Sequence, residues 1–351
     1  ILVAGFAHDG GDRDFAVARF NTDGTLDTDY STDGKQTVSF DANFDDEARE
    51  IKLDASGKAV LAGYVFNGGN RDFAIARLTT QGNPDTTFDA DGKVTTDFGG
   101  NFDDEAFSLV INGSGVITAG GFAFNAAGDA DFALAQYNTN GSLRNSFDAD
   151  GRVVTDLRTN SDDRIFEIEL DSSGRIVAAG GSIEAGFFGS EDFALARYNG
   201  STGALDVSIG DGGRVFTTFF ANAGDQAQAI DLDAAGNWVV GGFTHNSFNN
   251  FALTRYSPST ATLDTGFGVG GRVVTDFTDL SGSDDVVTAV KSISGGKTVV
   301  VGNQFGNVSF VARYNANGSL DQSFGTGGRI ATRVLEGAND VQVFADGSML
   351  L

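Results

Sequence analysis

Apolar and polar positions alternate in short bursts along this chain, separated by turn-forming clusters, four bursts to a unit. In the second unit Glu47–Asp54 (EAREIKLD) alternates polar and apolar residues, and Lys58–Val65 (KAVLAGYV) is apolar and β-branched. Asp72–Leu78 (DFAIARL) follows, and Lys93–Phe98 (KVTTDF) closes the unit. Between them lie ASG, NGGN and TTQGNPDTTFDADG, whose Gly, Asn and Asp residues bend the backbone cheaply. No segment sustains an apolar period of about 3.6 residues, so the pattern predicts strands and almost no helix.

The unit recurs. The third strand reads DFAVARF from Asp14, DFAIARL from Asp72, DFALAQY from Asp131, DFALARY from Asp192 and NFALTRY from Asn250, with a worn SFVARY from Ser309. Anchored on Arg19, Arg77, Gln136, Arg197, Arg255 and Arg313, the spacings are 58, 59, 61, 58 and 58 residues. That period suits a four-stranded propeller blade. The expectation is all-β: one six-bladed β-propeller over 1–351, with four-stranded antiparallel blades of about 59 residues each. The alternatives are part of a larger propeller or repeat array, and a linear β-solenoid.

The termini bear on closure. Met349-Leu350-Leu351 aligns with Ile1-Leu2-Val3, so the chain covers six periods plus about three residues. A velcro closure is expected, in which N- and C-terminal strands share one blade. The three-residue overlap also fits a piece of a longer array, and the opening ILVAGF reads as mid-strand.

DFALARYNGSTGALDVSIGDGGRVFTTF (Asp192–Phe219) and RYNANGSLDQSFGTGGRIATRV (from Arg313) resemble the delta-sixty repeat. This is a β-propeller repeat of unknown function found in secreted or surface bacterial proteins. The resemblance runs the length of the chain. It implies the propeller fold and an extracellular or cell-surface bacterial location, and it carries no catalytic residue to transfer.

Charge narrows the partners. With 48 acidic and 23 basic residues the formal charge is −25, which repels nucleic acid and anionic lipid and attracts cations. The absence of cysteine rules out disulfides, thiol catalysis and iron–sulfur clusters. Two histidines, His8 and His245, are too few for a histidine metal cluster. No apolar run reaches the roughly 20 residues that cross a bilayer, so no membrane insertion is expected.

Three acidic features recur. The turn before the fourth strand carries Asp29 and Asp33, Asp89 and Asp91, and Asp148 and Asp150 in the first three copies. These resemble half a calcium loop, but Phe40, Phe98 and Leu157 stand where an EF-hand requires glutamate. Later copies (SIGDGG, GFGVGG, SFGTGG) mostly put glycine there, so a turn needing left-handed backbone is expected, with calcium as an occasional occupant. Second, Asp27, Asp85, Asp206, Asp264 and Asp321 follow the arginine of their strand, whereas the third copy has Gln136 and Arg144. Acid and base disappear together, which predicts the ion pairs Arg19–Asp27, Arg77–Asp85, Arg197–Asp206, Arg255–Asp264 and Arg313–Asp321, bidentate where geometry allows. Third, Asp46, Asp104, Asp163, Asp225 and Asp285 open the first strand, with Asp340 at that place in the shortened sixth copy. If first strands line a channel, they form an acidic ring that draws a cation or raises its pKa values; the alternative is solvated or turn-bonding aspartates.

Phenylalanines fall at repeat-equivalent strand positions, as blade packing requires, with Phe187-Phe188 and Phe219-Phe220 as exceptions expected to be exposed. Trp238 replaces an aliphatic residue and is expected in the core. Near-uniform repeats argue for a non-catalytic extracellular scaffold or binding module that pairs with other surface proteins or itself. A calcium-dependent hydrolase or lactonase and a spacer within a longer surface protein are the alternatives. No cofactor is certain; calcium is the candidate.

Overall fold

The computed structural model describes residues 1–8, 11–40, 44–183, 191–277, 284–304, 308–333 and 337–351. The first sheet holds β1 (Leu2–His8), β2 (Arg13–Arg19) and β3 (Lys35–Val38). The second is β4 (Asp46–Leu53), β5 (Ala59–Phe66), β6 (Arg71–Leu78) and β7 (Lys93–Thr96). The third is β8 (Asp104–Ile111), β9 (Ile117–Phe124), β10 (Ala130–Tyr137) and β11 (Arg152–Thr155). The fourth is β12 (Asp162–Leu170), β13 (Ile176–Ile183), β14 (Glu191–Tyr198) and β15 (Arg214–Thr217). The fifth is β16 (Asp225–Leu232), β17 (Trp238–Asn246), β18 (Phe248–Tyr256) and β19 (Arg272–Thr275). The sixth is β20 (Asp285–Ile293), β21 (Lys297–Gln304), β22 (Val308–Tyr314) and β23 (Arg329–Arg333). A last hairpin pairs β24 (Gln342–Val343) with β25 (Met349–Leu350). Among the described residues the one helical element is a 3-10 turn at Ser294–Gly296.

Two compact units divide the chain: Ile1–Leu170 with Asn199–Ala204, and Asp171–Tyr198 with Leu205–Leu351. Within the first, Val60, Phe73, Ile75 and Phe88 pack against Leu109, Ala119, Ala135 and Tyr137. Within the second, Val177, Phe193 and Leu195 meet Ile230, Trp238 and Tyr256, and Phe251 and Leu253 meet Val287, Val300 and Tyr314. Each of these cores lies between consecutive sheets, so inner strands such as β5, β9 and β13 are buried along nearly their whole length and read as near-continuous apolar runs. Trp238 is fully buried, as expected. Phe219 packs edge-on against Phe193, while Phe220 is 40% exposed. Phe187 and Phe188 lie outside the described residues.

The first strands carry a feature the pattern did not reveal. β4, β8, β16 and β20 each bulge by one residue against the strand that follows, at Arg49, Phe107, Gln228 and Thr288. The bulge drives a backbone carbonyl toward the partner, which must then be glycine. A Cβ on Gly121 would lie 1.8 Å from the Glu105 carbonyl oxygen.

Among the described residues β1 pairs with β2, through Leu2↔Arg19 to His8↔Arg13. β24 pairs with β25, Gln342↔Leu350 and Val343↔Met349.

Candidate functional site

The recurrent carboxylates separate by what they hold. Arg19, Arg77 and Arg313 donate Nε to Oδ2 of Asp27, Asp85 and Asp321 at 2.7, 2.7 and 2.8 Å. In Arg197–Asp206 and Arg255–Asp264, Nε and Nη2 converge on a single oxygen, Oδ2, at 2.8 and 2.7 Å in both pairs. The pairs are therefore not the two-oxygen forks expected. The second oxygen is busy: Thr87, Ser208 and Ser323 donate their hydroxyls to Oδ1 of Asp85, Asp206 and Asp321. The arginine's remaining arm crosses to the next repeat, where Nη1 of Arg19, Arg77 and Arg255 donates to the carbonyls of Thr80, Thr139 and Ala316, each at 2.7 Å. The Lys297 ammonium, then the Ser323 hydroxyl, hold Asp321 well below the usual carboxylate range. At Asp85 burial pushes upward, but Lys58, Thr87 and Arg77 outweigh it and the carboxyl is held low.

The turn aspartates answer to backbone geometry. Asp89 and Asp148 sit at φ 46° and 47°, Ser31 at 46°, and Gly210, Gly268 and Gly325 fall between 52° and 59°. Aspartate and glycine exchange here because both tolerate the left-handed region. Asp33, Asp91 and Asp150 each accept, at Oδ1, the backbone N–H two residues on, at 2.9 Å. Asp29 donates its N–H to Asp27 Oδ1.

The aspartates that open the first strands are buried, between 0 and 1% exposed, so they are not the solvated groups of one expectation. Each accepts at Oδ2 a backbone N–H from the second residue beyond the last strand of the preceding sheet. The donors to Asp46, Asp104, Asp163, Asp225 and Asp285 are Phe40, Phe98, Leu157, Phe219 and Phe277, at 2.7, 2.8, 2.7, 2.6 and 3.1 Å. The acid just before makes a second stitch. Asp45, Asp103 and Asp284 accept the N–H of Arg13, Arg71 and Asn249 at the third-strand entry of the preceding repeat. Asp162 does the same for Ala130. Asp340, in the shortened copy, instead bonds the adjacent Val341 N–H.

Two of these buried aspartates have company. Asp72, Asp97 and Asp104 each bring a carboxylate oxygen within 4.8 Å of the others, and Asp131, Asp156 and Asp163 do so one repeat later. In each group two members are buried and the middle one is exposed. Asp104 and Asp163 are thus grouped with acids of neighbouring strands and not with one another. Burial pushes the Asp104 carboxyl up to about 7, with Asp97, Asp72 and Asp103 adding like charge. Asp72 and Asp131 are also raised, chiefly by burial. Asp285 rises to about 6 and Asp225 rises too, again from burial first. Amides support the groups: Asn67 and Asn70 each donate to Asp72 at 2.8 Å, and Asn125 donates to Asp131 at 3.0 Å.

Asp72, Asp97, Asp131 and Asp156 were not singled out by sequence reasoning, although the signal was available. The first letter of D-F-A is aspartate in four of the six repeats, and the aspartate of T-D-F and T-D-L stands in three, at Asp97, Asp156 and Asp276.

Residues 1–30, 55–88, 113–147, 172–208 and 295–324 match a family described as a domain of unknown function (DUF5122) beta-propeller. No curated protein matches the sequence. A protein of unknown function from Dyadobacter fermentans DSM 18053 has a similar structure, with TM-score 0.50 and 13% identity, covering 84% of this chain and 85% of that one. A polysaccharide lyase of family PL25, an ulvan lyase, superimposes with TM-score 0.51 and 12% identity over 89% of this chain and 80% of its own. The same lyase bound to -[GlcA(1-4)Rha3S]- gives TM-score 0.50.

The chain is therefore built of β-propeller repeats. The expected non-catalytic scaffold, spacer or binding module is corrected. That expectation held that near-uniform repeats lack the asymmetry chemistry needs, yet a lyase is built on this architecture. Nor are the repeats equivalent where it matters: Ser161 in one carboxylate group is Phe102 in the other. Among the described residues no helix is long and apolar enough to cross a membrane.

Proposed function

We propose that this chain is a bacterial surface or secreted β-propeller enzyme that cleaves a carbohydrate polymer, with the exposed Asp97 and Asp156 meeting the substrate. The observation that carries the reading is the pair of carboxylate groups, Asp72–Asp97–Asp104 and Asp131–Asp156–Asp163. Carboxylates this close disfavour one another's charge, and burial adds to this at Asp104, Asp72 and Asp131, so in each group a carboxyl that holds its proton more tightly stands beside an exposed one. Cleavage between sugars needs such a division between acid and base. The ulvan lyase makes a uronate-bearing polymer the first substrate to test. Six blades and the delta-sixty repeat remain the finer reading; the six-fold recurrence and the ordered motifs support it. The net charge of −25 supports a location outside the cell.

The test is to incubate the protein with ulvan and with neutral and uronate-bearing polymers, following new reducing ends and the absorbance of unsaturated uronate. The expected result is product from at least one uronate-bearing polymer, reduced tenfold or more in Asp97→Asn or Asp156→Asn. No product from any polymer, or full activity in both variants, overturns the proposal.

A further inference from the structure

The two carboxylate groups differ at one oxygen. In the later group both oxygens of Asp163 are satisfied, Oδ2 by the Leu157 N–H at 2.7 Å and Oδ1 by the Ser161 hydroxyl at 2.9 Å. In the sixth sheet Gln304, the strand partner of Asp285, donates Nε2 to Asp285 Oδ1 at 3.0 Å. Asp104 has neither donor. Phe102 stands at the Ser161 place and Ala123 at the Gln304 place. Asp104 is fully buried, its Oδ2 takes the Phe98 N–H, and its Oδ1 has no hydrogen-bond donor. A buried carboxylate oxygen left without a partner is costly, and such groups are few in folded proteins.

Among the described residues no lysine or arginine pairs with the carboxylates of Asp72, Asp97 or Asp104. Arg152 approaches, but its Nη1 donates to the Asp97 main-chain carbonyl at 2.6 Å, while Nε and Nη2 engage Asp150. Asp97 Oδ1 accepts the Gly99 N–H at 2.5 Å. The amide donors on Asp72 leave each of its oxygens a second lone pair.

We propose that Asp72, Asp97 and Asp104 bind one divalent cation of the calcium class, and that the sister group Asp131, Asp156 and Asp163 does not. Three hard oxygen donors, one on the exposed side, suit an ion that accepts irregular coordination and completes its shell with water. Magnesium, which demands near-octahedral geometry, fits an irregular cluster less well. The inference rests on the proposed function and divides it between the groups: a cation held by ionised Asp72, Asp97 and Asp104 keeps coordination positions open to an anionic substrate oxygen, and the acid and base are left to Asp131, Asp156 and Asp163.

The test is calorimetric titration of the chelator-stripped chain with calcium and separately with magnesium, without polymer, beside thermal melting. The expected result is one calcium per chain, at least tenfold tighter than magnesium, with a raised melting temperature. Asp97→Asn abolishes binding. Phe102→Ser, which gives Asp104 Oδ1 the hydroxyl its sister has, weakens binding at least tenfold, while Ser161→Ala in the other group leaves the affinity of this site unchanged. The inference is overturned if calcium produces neither heat nor a melting shift, or if Asp97→Asn and Phe102→Ser bind as the wild type does. Because no polymer is present, failure to bind calcium is distinct from failure to cleave a substrate.

Discussion

Arg144 Nη1 donates to Gln136 Oε1 at 3.0 Å, reversing a contact that runs from arginine to aspartate in five other repeats. Gln136 also donates Nε2 to the Gly200 carbonyl at 3.0 Å, so it keeps the cross-repeat arm its arginine counterparts use. The pair preserves the connection with the charges rearranged. Replacing Arg144 by Asp alone leaves a carboxylate without a cation and lowers stability by about 1 kcal/mol. Adding Gln136→Arg recovers the loss, with a coupling of roughly 1 kcal/mol in a double-mutant cycle followed by urea unfolding.

The paired aspartates at the first-strand entry act as stitches. Asp103→Ala removes the acceptor for the Arg71 N–H at 2.8 Å and is expected to cost about 1–2 kcal/mol. Chemical denaturation measures it, and amide exchange at Arg71 rises in the variant.

The bulge and its glycine make a sharper contrast. Gly121→Ala places a Cβ 1.8 Å from a backbone carbonyl oxygen, so the strands must separate. A loss of several kcal/mol is expected, on the order of the largest overpacking effects. Gly5→Ala, at the equivalent place in the three-stranded first sheet, meets nothing within 4 Å. That variant should be neutral or slightly stabilised by the lower entropy of its unfolded chain.

A buried hydroxyl joins consecutive sheets at Tyr256, which donates to Thr217 at 2.7 Å; Tyr314 and Thr275 repeat the contact at 2.8 Å. Tyr256→Phe strands a buried threonine oxygen, and the expected loss is about 1–2 kcal/mol. Thermal melting checks it.

Much of this was legible in the letters. The period, the four strands per repeat and the near-absence of helix follow from alternation and turn chemistry, which act locally. The Arg–Asp contacts were legible because the third repeat lost both partners together. What escaped notice depends on strands distant in sequence. The first-strand aspartates read as an acidic ring or as solvated or turn-bonding groups; the N–H that each holds lies only six or eight residues back, but the burial around it comes from strands that the local pattern does not show. Asp72 and Asp97 lie 25 residues apart, and only the pairing Phe73↔Thr96 brings their neighbourhoods together. The bulge was hidden because an extra residue does not disturb the apolar count.

The central claim is that Asp104 belongs to a crowded, buried carboxylate group whose charge is unsettled near neutral pH. Its raised pKa means the folded protein holds the proton more tightly than the unfolded chain. The stability this contributes is present below about pH 4, the unfolded value, and is lost as pH rises through about 7. Asp85 and Asp321 work the opposite way, contributing above the ordinary carboxylate range and failing in acid. In chelator the melting temperature should therefore fall between pH 5 and 8 in the wild type and fall less in Asp104→Asn, which keeps an acceptor for the Phe98 N–H. The most direct measurement is the side-chain carboxyl 13C titration of Asp104 in chelator. A midpoint near 7, moving several units downward on addition of calcium, is the predicted result. A midpoint below 5 in chelator, unmoved by calcium, would contradict the account.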